Sequence, residues 1–276
     1  MVIPRNPPGQ SSASNAPGTT VAGDFPIDAA DLVVGLGRGL AVIEAFDDEH
    51  PRMTSTDVAR RTGIPRTAAR RHLLSLCHYG YADTDGKQFW LTPRVLRLGQ
   101  GFLDSARLPR LVQPFIQRLS MGTGETVNVS VLDGHEVVYV ARSNSPRLVS
   151  IGFHAGARVP AHVVSPGIVL LATLREEVLA EWMAGHEFAA YSASTPASAE
   201  VCMAQVQSAR LQDHWISVGL LDTGLTGIAT LLRDRYGECH GALSMTLQST
   251  HWPLARIEAQ LVPQLMETAQ TLRAVI

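Results

Sequence analysis

Residues 55–76, STDVARRTGIPRTAARRHLLSL, constrain the fold more tightly than any other stretch of the chain, because each position answers a separate demand of two short helices joined by a tight turn. Thr54 or Ser55 can cap the first helix and Asp57 suits its positive end. Ala59 is small where two helices cross, Gly63 accepts the left-handed torsion of the turn, and Ile64 can plug the gap between the helices. Pro65 then starts a second helix, whose Ala69, Leu73 and Leu76 form an inward stripe. Arg66, Thr67, Arg70 and Arg71 are left on the other face. The sequence YADTDGKQFWL that follows reads as two short strands around Asp85-Gly86. Helices followed by a hairpin predict a winged helix-turn-helix.

The charge pattern says what that motif would touch. Residues 55–71 hold Arg60, Arg61, Arg66, Arg70 and Arg71 against the single Asp57, within a chain of 23 Lys+Arg and 25 Asp+Glu. A net charge of −2 excludes a uniformly basic coat, so DNA binding has to come from this local cluster. An Arg near the start of a recognition helix can pair with guanine O6 and N7, a contact worth roughly 1–3 kcal/mol of discrimination. Arg60 or Arg61 suits phosphate, and Lys87 at the wing tip can reach an adjacent backbone. The candidate DNA contacts are therefore Thr56, Arg61, Arg66, Thr67, Arg70, Arg71 and Lys87. A solvated Arg-rich helix face is the competing explanation, and the accompanying turn, cap, stripe and wing weigh against it.

The remaining chain is long enough for a second domain. Residues 1–30 are rich in Pro, Ser, Gly and Ala and read as a disordered tail, with only Arg5 as a basic residue and no apolar leader core. Residues 31–92 read as the winged domain, 93–108 as a linker helix beginning at Thr92-Pro93, and 109–276 as an α+β domain. In the last we expect a helix to about Met121, the strands TVNVSVL and EVVYVAR about Asp133-Gly134, the strand RLVSIGF and the helix PGIVLLATL. Helices near 175–184 and 198–213 follow, then the strands WISVGLL, GIATLLRD and CHGALSMTL, and a closing helix from Pro253. Cys77, Cys202 and Cys239 lie far apart with no C-x-x-C pair, which argues against a disulfide framework and for a reducing, cytoplasmic setting. No stretch approaches a charge-free membrane span.

The stretch GLGRGLAVIEAF, then STDVARRTGIPRTAARRHLLSLCHYGY, FWLTPRVLRLG, YVAR, RVPAHVVSPGIVLLA and GLTGIATLLRD, closely resembles IclR-family transcriptional regulators over about 35–276. The resemblance implies an α+β protein, with an N-terminal winged helix-turn-helix and a C-terminal GAF-like effector-binding domain. Carried over by matched segments, its pocket holds Ser165 and Pro166 in HVVSPG, Gly227 in LTGIA, and Ser244 and Thr246 in ALSMT. Asn128 and Ser130 join these candidates, and Arg158 and His162, with Arg142 and Arg147, could serve a carboxylate. GLAVIEAF and ARRTGIPRTAARRHLLSL look most like the branch that controls breakdown of protocatechuate and 4-hydroxybenzoate. The implied partners are a double-stranded DNA operator, a small carboxylate effector, and further copies of the chain in a homodimer or dimer of dimers. Two features depart from the family pattern: Ile168 replaces a basic residue after the glycine, and Leu220 an acidic residue before GL.

Enzyme readings have little to support them. Gly35-x-Gly37-x-Gly39 would need its third dinucleotide-binding glycine at Leu40, there is no H-E-x-x-H, and Ser165 lacks the glycines of a nucleophile elbow. We expect no cofactor and no metal. A ligand-independent dimerisation module stays open beside the effector domain.

Overall fold

The computed structural model describes residues 27–105, 107–144 and 154–276. The chain divides into two units, one formed by Phe25–Ala106 and one that includes Arg107–Ile276. The expected strand RLVSIGF and Arg147 lie outside the described residues.

The first unit runs α1 (Val34–Glu44), α2 (Ser55–Thr62), α3 (Arg66–His78), β1 (Ala82–Thr84), β2 (Phe89–Leu91) and α4 (Leu96–Ser105). Helix α2 begins with a reciprocal capping box, in which the Thr54 hydroxyl accepts from Asp57 N–H and the Asp57 carboxylate accepts from Thr54 N–H. The helix ends on Gly63 at φ 68°, a torsion that a side chain would oppose. Pro65 stands one place outside α3 with φ −53° and ψ 137°, so it sets the entry angle rather than forming the first helical residue. The small core gathers Val42, Met53, Val58, Ile64, Ala69, Leu73 and Phe89. Met53 also exchanges backbone hydrogen bonds with Phe89, which adds a third, one-residue strand to the wing.

Removing the Thr54 hydroxyl would leave orphan donors at the start of α2. Thr54→Ala should therefore lower the stability of this unit by about 1 kcal/mol in denaturant unfolding, with the fold retained.

The second unit is a six-stranded antiparallel sheet with helices on both faces. Its elements are α5 (Arg107–Thr123), β3 (Thr126–Asp133), β4 (Glu136–Ser143), β5 (Arg158–Pro160), α6 (Ser165–Leu171), α7 (Glu176–Gly185), α8 (Ala199–Arg210), β6 (His214–Val218), β7 (Leu225–Arg233), β8 (Cys239–Gln248), α9 (Leu254–Arg256) and α10 (Val262–Leu272). The strand order is β5-β4-β3-β8-β7-β6. One face packs on α5 and α10 through Val112, Ile116, Leu265 and Leu272. The other packs on α6, α7 and α8 through Ile168, Leu171, Leu179 and Val206, and every residue of α6 is buried.

Two elements differ from their sequence patterns. The strand expected across WISVGLL stops at Val218, because Gly219 turns the chain at φ 67° and Leu220 then packs inward. The closing helix is interrupted by a wide π-type turn at Ile257–Leu261, just ahead of Pro263, whose ring nitrogen cannot donate to the regular ladder. Among the described residues no helix is long and apolar enough to cross a membrane.

Candidate functional site

The helix-turn-helix unit turns its cations outward. Arg66, Thr67, Arg70 and Arg71 are exposed on α3 opposite the buried Ala69 and Leu73, and Thr56 and Arg60 are exposed on α2. Lys87 stands exposed at the tip of the wing, whose strands pair Thr84 with Phe89. The Asp85 carboxylate accepts the N–H groups of Lys87 and Gln88 at 2.9 and 2.7 Å, and these bonds hold it below the usual carboxylate range. Arg52 lies 4.0 Å over the Trp90 ring, so a cation also covers the outer strand.

Arg61 behaves differently from its neighbours. Its guanidinium is clasped by the Asp47 carboxylate and lies 2.9 Å from His50 Nδ1, so it ties α2 to the segment that follows α1. Arg60, whose side chain is 76% exposed and 3.8 Å from Asp57, is the freer cation for a phosphate. Gly35, Gly37 and Gly39 sit in or along α1, not in a loop after a strand, so they form no phosphate cradle.

In the second unit a narrow cavity of about 40 Å³ opens between α6 and the sheet, room for on the order of three waters. Its walls are apolar at Val163, Val164, Leu220, Leu221, Leu225 and Met245. Polar groups converge from Ser165, Ser217, Thr226, Ser244 and Thr246, and no charged side chain is among the described lining residues. Strand register explains the convergence: Ser217 pairs with Gly227, and Gly227 pairs with Thr246, so three strands present one row to the cavity. Gly227 makes room for Ser165, since a Cβ there would lie 2.6 Å from the Ser165 hydroxyl.

The hydroxyls of Ser165 and Ser217 are both buried and have no hydrogen-bond partner among the described residues. Buried orphan hydroxyls are costly, and a pair flanking one glycine is suited to a polar ligand. Asn128 lies behind this wall and donates from Nδ2 to the Thr246 hydroxyl at 3.4 Å. Ser130 is buried two residues further along β3, and neither it nor Asn128 lines the cavity itself.

The structure thus brings together Ser165, Pro166, Gly227, Ser244 and Thr246, with Asn128 as support. It places the proposed cations elsewhere. Arg158 pairs with Asp133 and Glu136, each at 2.7 Å; burial works to lower its pKa, and the two carboxylates together outweigh it and raise the pKa while fixing the β3–β4 hairpin. Arg142 donates from Nε to Asn144 and does not line the cavity. His162 is fully buried on the far side of its own turn, within a cluster that also holds His186, Phe188 and Tyr191. Its sequence neighbours Val163 and Val164 reach the cavity, and its ring does not. Ser217 escaped sequence reading because a lone serine in a strand carries no signal of which face it occupies.

Family comparison decides the class of the protein. Residues 100–274 match the bacterial transcriptional regulator IclR C-terminal family, and residues 35–86 match the IclR helix-turn-helix domain. The chain belongs to the IclR family. It is a DNA-binding transcriptional regulator of IclR type, and its relatives are regulators, not enzymes. One IclR-family relative is the p-hydroxybenzoate hydroxylase transcriptional activator of Acinetobacter baylyi, 39% identical over 251 residues that span 89% of this chain and 93% of that protein. Another is the Pca regulon regulatory protein of Pseudomonas putida, 33% identical over 243 residues, 88% of this chain and 84% of that protein. Among solved structures, the inducer-binding domain of a double mutant of the PobR transcription factor from Acinetobacter, in complex with 3-hydroxybenzoic acid, is 32% identical. It covers 62% of this chain and 100% of that domain, with a TM-score of 0.59.

The two family departures are apolar and buried. Ile168 is fully enclosed in the core and does not line the cavity, whereas Leu220 forms part of its wall, so only the second places alkyl surface in the pocket.

Proposed function

We propose that this regulator senses a small aromatic acid of the hydroxybenzoate class in the cavity between α6 and the sheet. The observation that carries the reading is the pair of buried, unpartnered hydroxyls on Ser165 and Ser217 within an otherwise apolar lining. Such a lining accepts a flat hydrocarbon ring, and the hydroxyls of Ser165, Ser217, Ser244 and Thr246 serve its polar ends. The relatives whose names concern p-hydroxybenzoate and the structure with 3-hydroxybenzoic acid support the same ligand class.

An aromatic acid is larger than the cavity described above, so it has to push α6 and the sheet apart as it enters. That gives the ligand a differential affinity for two arrangements of the domain, which is the requirement for control. The signal reaches the DNA-reading unit through the chain at α4.

We read the working form as a homodimer or dimer of dimers in the cytoplasm, its two winged units engaging half-sites of a pseudo-palindromic operator. Helix α1 supports self-association, because Leu36 and Leu40, four residues apart on it, and Val33 at its N-cap remain 45–67% exposed. The DNA contacts assigned to this form are Thr56, Arg60, Arg66, Thr67, Arg70, Arg71 and Lys87.

Calorimetric titration of the full chain with 4-hydroxybenzoate, protocatechuate and benzoate tests the effector. Ser217→Ala and Ser165→Ala should each weaken the acid that binds by roughly 10- to 150-fold, as expected when a hydrogen bond to a charged group is lost. Unchanged affinity in both variants would place the ligand elsewhere, and a chain that binds none of the acids would leave a ligand-independent dimeric regulator.

A further inference from the structure

We propose that residues 186–195 form a strap joining two walls of the effector cavity, and that the His162–His186 pair is the proton-sensitive latch that fastens it. The inference rests on the effector reading given above and assigns new positioning residues to that same site.

The strap has two fastenings. At one end, His162 Nε2 lies 3.1 Å from the Ala189 carbonyl and therefore carries the hydrogen that it donates. In the neutral ring this leaves Nδ1 as an acceptor, and His186 Nε2 donates to it at 2.7 Å. His162 directly precedes Val163, Val164 and Ser165, the wall on the α6 side. At the other end, the Thr195 hydroxyl accepts from the N–H groups of Tyr191 and Ser192 at 3.1 and 2.8 Å and donates to the Leu220 carbonyl at 2.6 Å. The Ser192 hydroxyl donates to the Gly219 carbonyl. Leu220 and Leu221 are the wall on the β6 side. The strap therefore sets the spacing of two surfaces that the effector has to part.

Protonation of either ring disfavours the latch. A proton on His162 Nδ1 would oppose two N–H donors. A proton on His186 would leave its Nε2 donor in place but create an imidazolium on a half-buried ring between Trp182, stacked at 4.3 Å, and Phe188 at 4.7 Å, with two further imidazoles beside it. The titratable groups facing His186 are His162, from the turn after β5, and His135, from the β3–β4 turn, stacked at 5.0 Å. Tyr191 flanks His162 at 6.3 Å. Burial and these two imidazoles lower the His186 pKa from 6.5 to about 4, and burial lowers that of His162. A histidine depressed in the latched state favours that state above the ordinary value, and the advantage is lost as pH falls from about 6.5 toward 4.

The test measures 4-hydroxybenzoate affinity of the full chain at about pH 7.5 and about pH 5.5, a range in which the strap loses up to roughly tenfold of its latching equilibrium. Because the effector has to part the two walls that the latch holds together, wild type should bind it up to that factor more tightly at the lower pH. His186→Phe, which keeps a stacked ring and removes the donor, and Thr195→Val, which cuts the other fastening, should bind it more tightly already at the higher pH and show little further change. His186→Gln, whose amide can still donate to His162, should recover wild-type affinity at the higher pH. A wild-type affinity that is flat with pH, or variants that keep the wild-type slope, would overturn the latch. Hydrogen exchange on the ligand-free chain separates this from the effector reading. Protection of the Tyr191 and Ser192 amides should fall on acidification beyond the intrinsic pH effect in wild type and be low at both pH values in Thr195→Val. Unchanged protection overturns the strap even if no aromatic acid binds, and lost protection supports it in that case too.

Discussion

Gly167→Ala should lower the stability of the effector domain by about 3 kcal/mol or more. A Cβ built on Gly167 would lie 1.9 Å from the Ala161 carbonyl oxygen and 2.7 Å from the Ala161 Cα, both of them backbone atoms. Helix α6 is buried along its whole length, so it has no open side toward which to retreat. Overpacking a close-packed core usually costs about 1–3 kcal/mol, and a clash with backbone should reach or pass the top of that range. Chemical denaturation of the full chain should show an early transition for the domain that holds residues 107–276. Gly227→Ala provides the contrast. Its new methyl would meet the Ser165 hydroxyl at 2.6 Å, a side-chain atom that can rotate away, so stability should change little while effector affinity falls. Equal stability of wild type and Gly167→Ala would mean that α6 does not sit on the Ala161 turn as described.

Arg70→Ala should weaken operator binding by roughly 10- to 100-fold while effector affinity stays at the wild-type level. Arg70 is exposed on α3, in a different unit from the cavity, and its loss leaves the Ala69 and Leu73 stripe in place. Titrating salt from roughly 50 to 200 mM tells apart the two ways this Arg can act. If it reads a base, sequence preference relaxes at one position and the salt slope is nearly unchanged. If it meets phosphate, affinity falls on every sequence and the slope drops by about one. Simultaneous loss of operator and effector binding would contradict the division of labour between the two units.

The winged unit was legible in the sequence because its determinants are local. A capping residue, a left-handed glycine and a stripe repeating every three to four residues all act within one or two turns, and the Thr54 box, Gly63 and the Ala69–Leu73 stripe stand where those rules put them. The third strand through Met53 was not legible, since one residue paired across 36 positions leaves no periodicity. The effector unit divides in the same way. Resemblance located Ser165, Gly227, Ser244 and Thr246, whose convergence depends on strand register. Arg158 and His162 were drawn toward the cavity by closeness in sequence, yet Asp133 and Glu136 hold the one and His186 and Ala189 the other, all at least 22 positions away. Partners at that distance are set by the fold, and no count along the chain can name them. A glycine at position 219, inside the apolar run WISVGLL, was the available sign that β6 ends early.

The wing tip carries a consequence for the energetics of DNA recognition. Because Asp85 already binds the N–H groups of Lys87 and Gln88, the loop that presents Lys87 holds its shape before any duplex arrives. Ordering a free loop on association costs about 0.5–1.5 kcal/mol for each immobilised side chain, and here the backbone share of that entropy has been spent during folding. Contact between the wing and DNA should therefore appear as a favourable enthalpy with a small conformational penalty, and the specificity of the protein should rest on a rigid surface rather than on a segment that folds against its target.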